Sequence, residues 1–170
     1  ITDRCNARCS HCFIDFDSED HGAGELTLEE IRKISKNMGP HLMNINLTGG
    51  EPFLRKDIAD IARCYLDNTS IESIFITTHG GFPDRIRSFI KEIGPKLGKK
   101  KIILSFSVDD FEKDHNQNRK VKNLFANALE SYKIVQNAGN SFMANIAITV
   151  SHTNHSVVMS LYSHLIEKIG

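Results

Sequence analysis

The chain has 170 residues, of which 40% are hydrophobic and 25% are charged, the size and composition of one ordinary soluble domain. Its 21 lysines and arginines balance its 21 aspartates and glutamates, which argues against a general binder of nucleic acid or of a membrane surface. No apolar stretch approaches the roughly 18 residues needed to cross a bilayer. The opening Ile-Thr-Asp-Arg-Cys is not a basic and then apolar run, so we expect no signal peptide. We therefore expect a cytoplasmic protein without nucleic-acid or membrane partners.

Short apolar strands alternate with amphipathic helices along the chain. A capping box at Thr27 and Glu30 predicts the start of the first helix, whose apolar stripe is Leu28, Ile31, Ile34 and Met38. Strands are predicted at 43–48, 73–78, 101–108 and 142–150. The helices that follow them carry apolar residues at helical spacing: Ile58, Ile61, Ala62 and Tyr65; Ile86, Phe89, Ile90 and Ile93; Phe125, Ala128, Leu129 and Tyr132; and Val158, Leu161, Tyr162 and Leu165.

This alternation predicts a parallel sheet joined by right-handed crossovers. Two α/β architectures fit it: an open doubly wound sheet, and a full or partial (β/α) barrel. In both, function gathers at the carboxyl edge of the sheet. The segments that follow the predicted strands are polar or glycine-rich, namely 48–52, 77–80, 105–109 and 149–154. We therefore expect a single site at that edge.

Three of the four cysteines lie within eight residues, in the spacing Cys-x-x-x-Cys-x-x-Cys: Cys5, Cys9 and Cys12. Thiolates select zinc, copper(I) or iron–sulfur clusters. A zinc site needs a fourth ligand, which His11 or His21 could supply. In a four-iron cubane, three thiolates leave one iron open to a further ligand. Cys64, in a predicted helix, is interpreted as a packing residue.

This cysteine motif, followed after the next strand by Leu-Thr-Gly-Gly-Glu-Pro at 47–52, resembles the radical S-adenosylmethionine (radical SAM) superfamily. The chain looks most like the branches of the molybdopterin-precursor cyclase and the SPASM-type peptide-modifying enzymes, over essentially its whole length. The resemblance implies a truncated, partial (β/α)6 TIM-like barrel with parallel strands and about five βα units. We expect residues 1–170 to be a fragment of the core domain, with the first strand and the sixth unit largely missing.

The resemblance also implies the ligands. The three cysteines would bind a [4Fe–4S] cluster whose open iron is chelated by the methionine moiety of S-adenosylmethionine. Gly49, Gly50 and Glu51 would receive the methionine ammonium, chiefly through backbone carbonyls, since glycine lets the main chain approach a ligand closely. The other implied cofactor contacts are Pro52, Thr78, Ser107, Asp109 and His11, of which His11 would flank the adenine. Taken alone, Gly49 and Gly50 also fit a tight turn, and Ser107 and Asp109 also fit a helix N-cap.

The implied activity is that of an enzyme. An external one-electron reductant, such as flavodoxin or ferredoxin, would drive cleavage of S-adenosylmethionine to a 5′-deoxyadenosyl radical, which abstracts hydrogen from an unknown substrate. Peptide modification and small-molecule cofactor biosynthesis both stay open. The alternatives are a non-catalytic iron–sulfur electron-transfer module and a zinc-stabilised α/β binding module.

One residue departs from the family's pattern, and two further features of the sequence are given an interpretation. His79 stands where the family has asparagine. His115 and Arg119 match a His-x-x-x-Arg feature, which we interpret as organising a loop and a helix. The acidic segment 15–25 is interpreted as a solvated lid near the cluster.

Overall fold

A computed structural model describes residues 1–20 and 23–170. In chain order its elements are α1 Leu28–Met38, β1 Asn44–Leu47, α2 Ile58–Asn68, β2 Ser73–Thr78, α3 Pro83–Ile93, β3 Lys101–Ser107, α4 Glu112–Arg119, α5 Leu124–Gln136, β4 Phe142–Ala147 and α6 Val158–Ile169. The predicted helices and strands are all present. The last strand is shorter than predicted, ending at Ala147 and not at 150, and α4 is a helix that the sequence patterns did not predict.

The four strands form one parallel sheet in the order β1-β2-β3-β4. Sequential order with crossovers of one hand places every connecting helix on the same face. Leu47, Ile76 and Leu104 pair in register across three strands and are fully buried on that face. On the opposite face Phe75 and Met143 are exposed. Helices on one face alone distinguish a segment of barrel wall from a doubly wound sheet, so the fold is consistent with the expected partial TIM-like barrel.

A short piece of extended chain lies beside β1, where the first strand was expected to be nearly absent. Thr2 makes a single parallel bridge with Gly49. The Gly50 amide donates to the Thr2 carbonyl at 2.7 Å, and the Glu51 amide donates to the Arg4 carbonyl at 2.9 Å. Residues 2–4 therefore attach to the sheet at its carboxyl end, and the segment with the three cysteines begins directly at that edge.

Two side chains expected in the core are exposed. Met38, the last residue of α1, is 43% exposed, and Tyr162 in α6 is 54% exposed. The buried stripes of these helices run through Ile31 in α1 and through Leu161 and Leu165 in α6. Helical spacing predicts a face, but the width of the buried stripe depends on the partner surface, which the pattern does not contain.

The helices are short, and local signals set their ends. The Thr27 hydroxyl accepts the Glu30 amide, and the Glu30 carboxylate accepts the Thr27 amide at 2.8 Å, which confirms the predicted capping box. The longest helix, α5, has 13 residues. In the parts of the chain that the structure describes, no helix has the length and apolar character that crossing a membrane requires.

The turn after β2 fits closely against α5, which a pair of glycine substitutions can test. Gly80 (φ +72°) and Gly98 (φ +57°) share a left-handed backbone, but a Cβ at Gly80 would lie 2.9 Å from the Ala128 Cα, while one at Gly98 would meet nothing within 4 Å. We expect Gly98→Ala to cost about 1 kcal/mol of unfolding free energy from backbone strain. Gly80→Ala should cost a further ~1–3 kcal/mol from overpacking. Urea denaturation compares the two, and equal losses would contradict the packing shown here.

Candidate functional site

The segment 5–12 holds the three cysteines and is fastened by the end of α4. The Arg8 amide donates to the Arg119 carbonyl at 3.1 Å. The Ser10 hydroxyl donates to the Asn118 side-chain oxygen. A turn within the segment is closed by the Cys12 amide on the Cys9 carbonyl, at 3.1 Å. The cysteines are therefore placed by α4, which follows β3, as well as by the sheet edge that precedes them.

All three thiols are half-buried and line one cavity of about 350 Å³ at the carboxyl edge of the sheet. Five of the residues proposed from the sequence as cofactor contacts line it too: His11, Gly49, Gly50, Thr78 and Ser107. The rest of the wall includes Thr48, Thr77, His79, Arg119 and Thr149. Glu51, Pro52 and Asp109 do not line this cavity, although all three are buried. Segments that follow all four strands thus meet the cysteines at one place.

Burial disfavours the charged form of two of the three thiols. Burial raises the pKa of the Cys5 thiol to about 11, although an Ala7 amide donates to its sulfur at 3.4 Å. Burial also raises the pKa of Cys9, against the opposing effect of the Arg119 guanidinium. Thiolates are the form that binds metal, and here they are costly to form unless a cationic centre compensates them. Three soft donors on one short segment therefore fit an iron–sulfur cluster.

The alternative with one zinc ion needs ligands that converge on a point. Among residues 1–20 and 23–170, no three His, Cys, Asp or Glu side chains are grouped so that they could hold one metal ion. A cubane cluster does not need such convergence, because its thiolates bind different irons. His11 lines the cavity, with Nε2 at 3.9 Å from Asp109 Oδ2. His21, the other candidate fourth ligand, lies outside the described residues.

Glu51 is turned into the protein and is fully buried. Its Oε1 accepts hydrogen bonds from the Phe53 amide at 2.9 Å and the Thr78 hydroxyl at 2.8 Å. Its Oε2 accepts the His79 amide at 2.9 Å. The carboxylate therefore ties the end of β1 to the end of β2, while the backbone of Gly49 and Gly50 faces the cavity.

The two glycines of the motif are also required by a contact away from the cavity. A Cβ at Gly49 would lie 1.8 Å from the Thr2 carbonyl oxygen, and one at Gly50 would lie 2.3 Å from the Arg4 carbonyl oxygen. Both distances are far below van der Waals contact. Glycine is therefore needed at these positions so that residues 2–4 can lie against the sheet, whether or not a ligand approaches from the other side.

Asp109 forms a buried ion pair with Arg119. The Arg119 Nε and Nη2 atoms donate to Asp109 Oδ2 at 3.0 and 2.5 Å, and both side chains are less than a tenth exposed. The Thr149 amide donates to Asp109 Oδ1 at 3.0 Å. The Asp109 amide in turn donates to His115 Nδ1 at 3.2 Å. This network joins the ends of β3 and β4 to α4.

Two contacts to the cysteine segment had been missed from the sequence. Arg119 Nη1 donates to Cys9 Sγ at 3.7 Å. His79 Nδ1 lies 2.9 Å from the Gly81 amide nitrogen and 3.3 Å from Glu51 Oε2, and its Nε2 lies 2.8 Å from the Asn6 side-chain oxygen. The available signal was the four-residue spacing of His115 and Arg119, which places both on one face of a helix.

The described part of segment 15–25 lies near the cysteines at one end and at the sheet edge at the other. The Arg8 guanidinium lies over the Phe16 ring, 4.0 Å from its centroid. Glu25 forms an ion pair with Arg4, which holds the pKa of the Glu25 carboxyl below its usual range. Residues 21 and 22 of the segment lie outside the described residues, and its role as a lid stays a prediction.

The role of Glu51 can be tested by replacing it with its isosteric amide. In Glu51→Gln, one side-chain oxygen becomes an NH2 group, which must face the amide of either Phe53 or His79. We expect a loss of about 2–4 kcal/mol in unfolding free energy, since a buried amide loses its acceptor. Glu29→Gln, on the exposed face of α1, is the matched control and should cost less than about 0.5 kcal/mol. Equal effects of the two changes in urea denaturation would contradict the buried role.

His115 gives the protein a pH dependence whose sign is determined by burial. The pKa of its ring is lowered to about 4, mainly by burial and secondarily by the Arg119 charge. The unfolded chain, with an ordinary histidine pKa, binds the extra proton first, so stability is unaffected above pH 6.5 and falls as the pH drops toward 4. His115→Gln should remove about 2 kcal/mol of the stability lost between pH 7 and pH 5. Unfolding curves at the two pH values measure this, and parallel losses in both proteins would refute it.

Comparison of the sequence with known proteins agrees with the interpretation of the cysteine segment and its cavity as a cluster site. The model of the radical SAM superfamily matches residues 1–160. A relative named GTP 3′,8-cyclase from Cronobacter sakazakii is 40% identical over 85 residues, and one of the same name from Pasteurella multocida is 42% identical over 84 residues. Each match covers 47% of this chain but only 25% and 24% of the respective relatives, about a quarter of their length. Members of the superfamily use a [4Fe–4S] cluster and S-adenosylmethionine. The resemblance seen in the sequence motifs is confirmed, and this chain belongs to the radical SAM superfamily.

Proposed function

We propose that Cys5, Cys9 and Cys12 hold a [4Fe–4S] cluster and that the cavity beside them binds S-adenosylmethionine for radical generation. When bound, the cluster supplies the electron that cleaves the cofactor to methionine and a 5′-deoxyadenosyl radical. The observation that carries the proposal is that three half-buried thiols and segments following all four strands line one cavity.

The residues of the chain would divide the remaining work. The backbone of Gly49 and Gly50 is presented to the cavity, where its carbonyl groups can accept the methionine ammonium. The Ser107 hydroxyl lies at the end of β3 and the His11 ring lies on the cysteine segment, so these side chains would contact the rest of the cofactor from two sides. The Thr78 hydroxyl donates to Glu51 and accepts the Gly80 amide, so Thr78 would shape the wall without offering that group to the cofactor. Glu51, Pro52 and Asp109 would act through the wall, by holding the strand ends at which the contacts are made.

The substrate class is the finer part of the proposal. Peptide modification and small-molecule cofactor biosynthesis were both compatible with the motifs. The name of the two relatives, GTP 3′,8-cyclase, favours a small molecule. We propose further that this chain is part of a core domain whose remaining strands complete the barrel, and that an external one-electron reductant such as flavodoxin or ferredoxin serves it.

The test is anaerobic reconstitution of the natural full-length protein with iron and sulfide, followed by dithionite and S-adenosylmethionine. We expect an electron paramagnetic resonance signal of a reduced cluster that changes when the cofactor is added, and formation of 5′-deoxyadenosine. Cys9→Ala should abolish both, because one of only three cluster ligands is lost. Cys64→Ala should leave both unchanged, since Cys64 is buried in α2 and is not part of the cavity wall.

The other outcomes identify the alternatives. A colourless protein that contains zinc would indicate a zinc-stabilised binding module. A cluster whose signal does not respond to S-adenosylmethionine, with no 5′-deoxyadenosine formed, would indicate an electron-transfer module. Equal losses in Cys9→Ala and Cys64→Ala would show that folding, and not ligation, had been tested.

A further inference from the structure

We propose that Arg119 tunes the reduction potential of the centre held by Cys9: its guanidinium donates to the Cys9 sulfur and makes reduction easier, while Asp109 limits that effect. This inference rests on the proposed function, since it requires Cys9 to be a cluster ligand. The inference goes beyond the proposed function, because the His-x-x-x-Arg spacing by itself indicated only the organisation of a loop and a helix.

The contact is built so that one nitrogen of the guanidinium is free to reach the sulfur. Nε and Nη2 of Arg119 both donate to Asp109 Oδ2, at 3.0 and 2.5 Å. This fork fixes the plane of the guanidinium and leaves Nη1 directed at Cys9 Sγ, 3.7 Å away. The Arg119 carbonyl also accepts the Arg8 amide at 3.1 Å. The same residue therefore holds the backbone of the cysteine segment and contacts one of its sulfurs.

The charge of Arg119 is held where water screens it weakly. The arginine side chain is 8% exposed and the Asp109 side chain is 2% exposed. Interactions between charges are strongest in such surroundings. Of the described residues that line the cavity, Arg119 is the one with a permanent charge. A hydrogen bond and a positive charge at a ligating sulfur both stabilise the form of the centre with more electrons, as hydrogen bonds to sulfur do in iron–sulfur proteins generally.

The redox step adds one electron from the external reductant and neither makes nor breaks a bond to Arg119. The negative charge beside the guanidinium grows by one unit, and the favourable interaction with Arg119 grows with it. The Asp109 carboxylate has the opposite sign of effect, because its charge repels the added electron. The structure therefore predicts that neutralising the two partners moves the potential in opposite directions, which a purely structural role of the pair does not.

The experiment is a potentiometric titration of the reconstituted natural protein, followed by electron paramagnetic resonance at one fixed pH. In Arg119→Gln we expect the equilibrium constant for one-electron reduction to fall at least about tenfold, which is about 59 mV toward more negative potential. In Asp109→Asn we expect a shift toward more positive potential. Arg119→Lys, which keeps the charge but not the fork, should lie between wild type and Arg119→Gln. Arg87→Gln is the matched control, since Arg87 is an exposed arginine of α3 paired with Glu130, and it should leave the potential unchanged.

The possible failures are distinguishable. If wild-type protein holds no cluster by iron, sulfide and absorption analysis, the proposed function fails. If the cluster forms but Arg119→Gln and Asp109→Asn have the wild-type potential, or shift it in the same direction, the inference is overturned and the proposed function stands. If Arg119→Gln does not retain a cluster, the sign of the Asp109→Asn shift decides: a rise supports the inference, and a fall or no change overturns it.

Discussion

The carboxylate of Asp109 joins three segments that the sheet alone would leave independent. It pairs with Arg119 in α4 through one oxygen and accepts the Thr149 amide after β4 through the other, while the Asp109 carbonyl accepts the Asn154 side-chain amide at 2.8 Å. A buried ion pair is weak evidence for stability, because desolvation offsets much of its attraction. Its consequence here is geometric: it fixes the end of α4, on which the Arg8 amide and the cysteine segment depend.

Glu51 has a similar role, because it joins the end of β1 to the end of β2. The two buried carboxylates also explain which groups are present in the cavity wall. Both oxygens of each carboxylate accept hydrogen bonds from residues of the wall: Thr78 and His79 donate to Glu51, and Arg119 and Thr149 donate to Asp109. Within the described residues, the lining side chains include thiols, hydroxyl groups, the rings of His11 and His79, the apolar Phe13 and Ile14, and the Arg119 guanidinium, and no carboxylate is among them. Negative charge is thus kept out of direct contact with the cavity, although two of the acidic residues that the sequence pointed to lie immediately beside it.

Local signals in the sequence predicted most of the fold, and tertiary contacts determined the rest. The capping box at Thr27 and the apolar run 73–78 act over a few residues, so the helix start and the strand were correct. The cysteine spacing is equally local. Helix α4 was not predicted because its sequence, Glu-Lys-Asp-His-Asn-Gln-Asn-Arg, contains no apolar stripe, and it is held by contacts to other segments. The motif spacing implied a contact of Glu51 with the cofactor chiefly through its backbone, and it did not reveal that the Glu51 carboxylate is turned into the protein, toward Thr78 and His79.

The glycine motif and the cysteine motif form one mechanical unit, which neither pattern reveals alone. Residues 2–4 lie so close to Gly49 and Gly50 that a Cβ at either position would overlap their carbonyl oxygens. Cys5 follows Arg4 directly, so any displacement of this short strand moves the first thiol relative to the sheet. The same glycine backbone forms part of the cavity wall on its other side. A side chain at Gly49 or Gly50 would therefore meet residues 2–4 on one side of the backbone or the cavity on the other. By pushing residues 2–4 away from the sheet, it would displace the Cys5 thiol whether or not a ligand is bound.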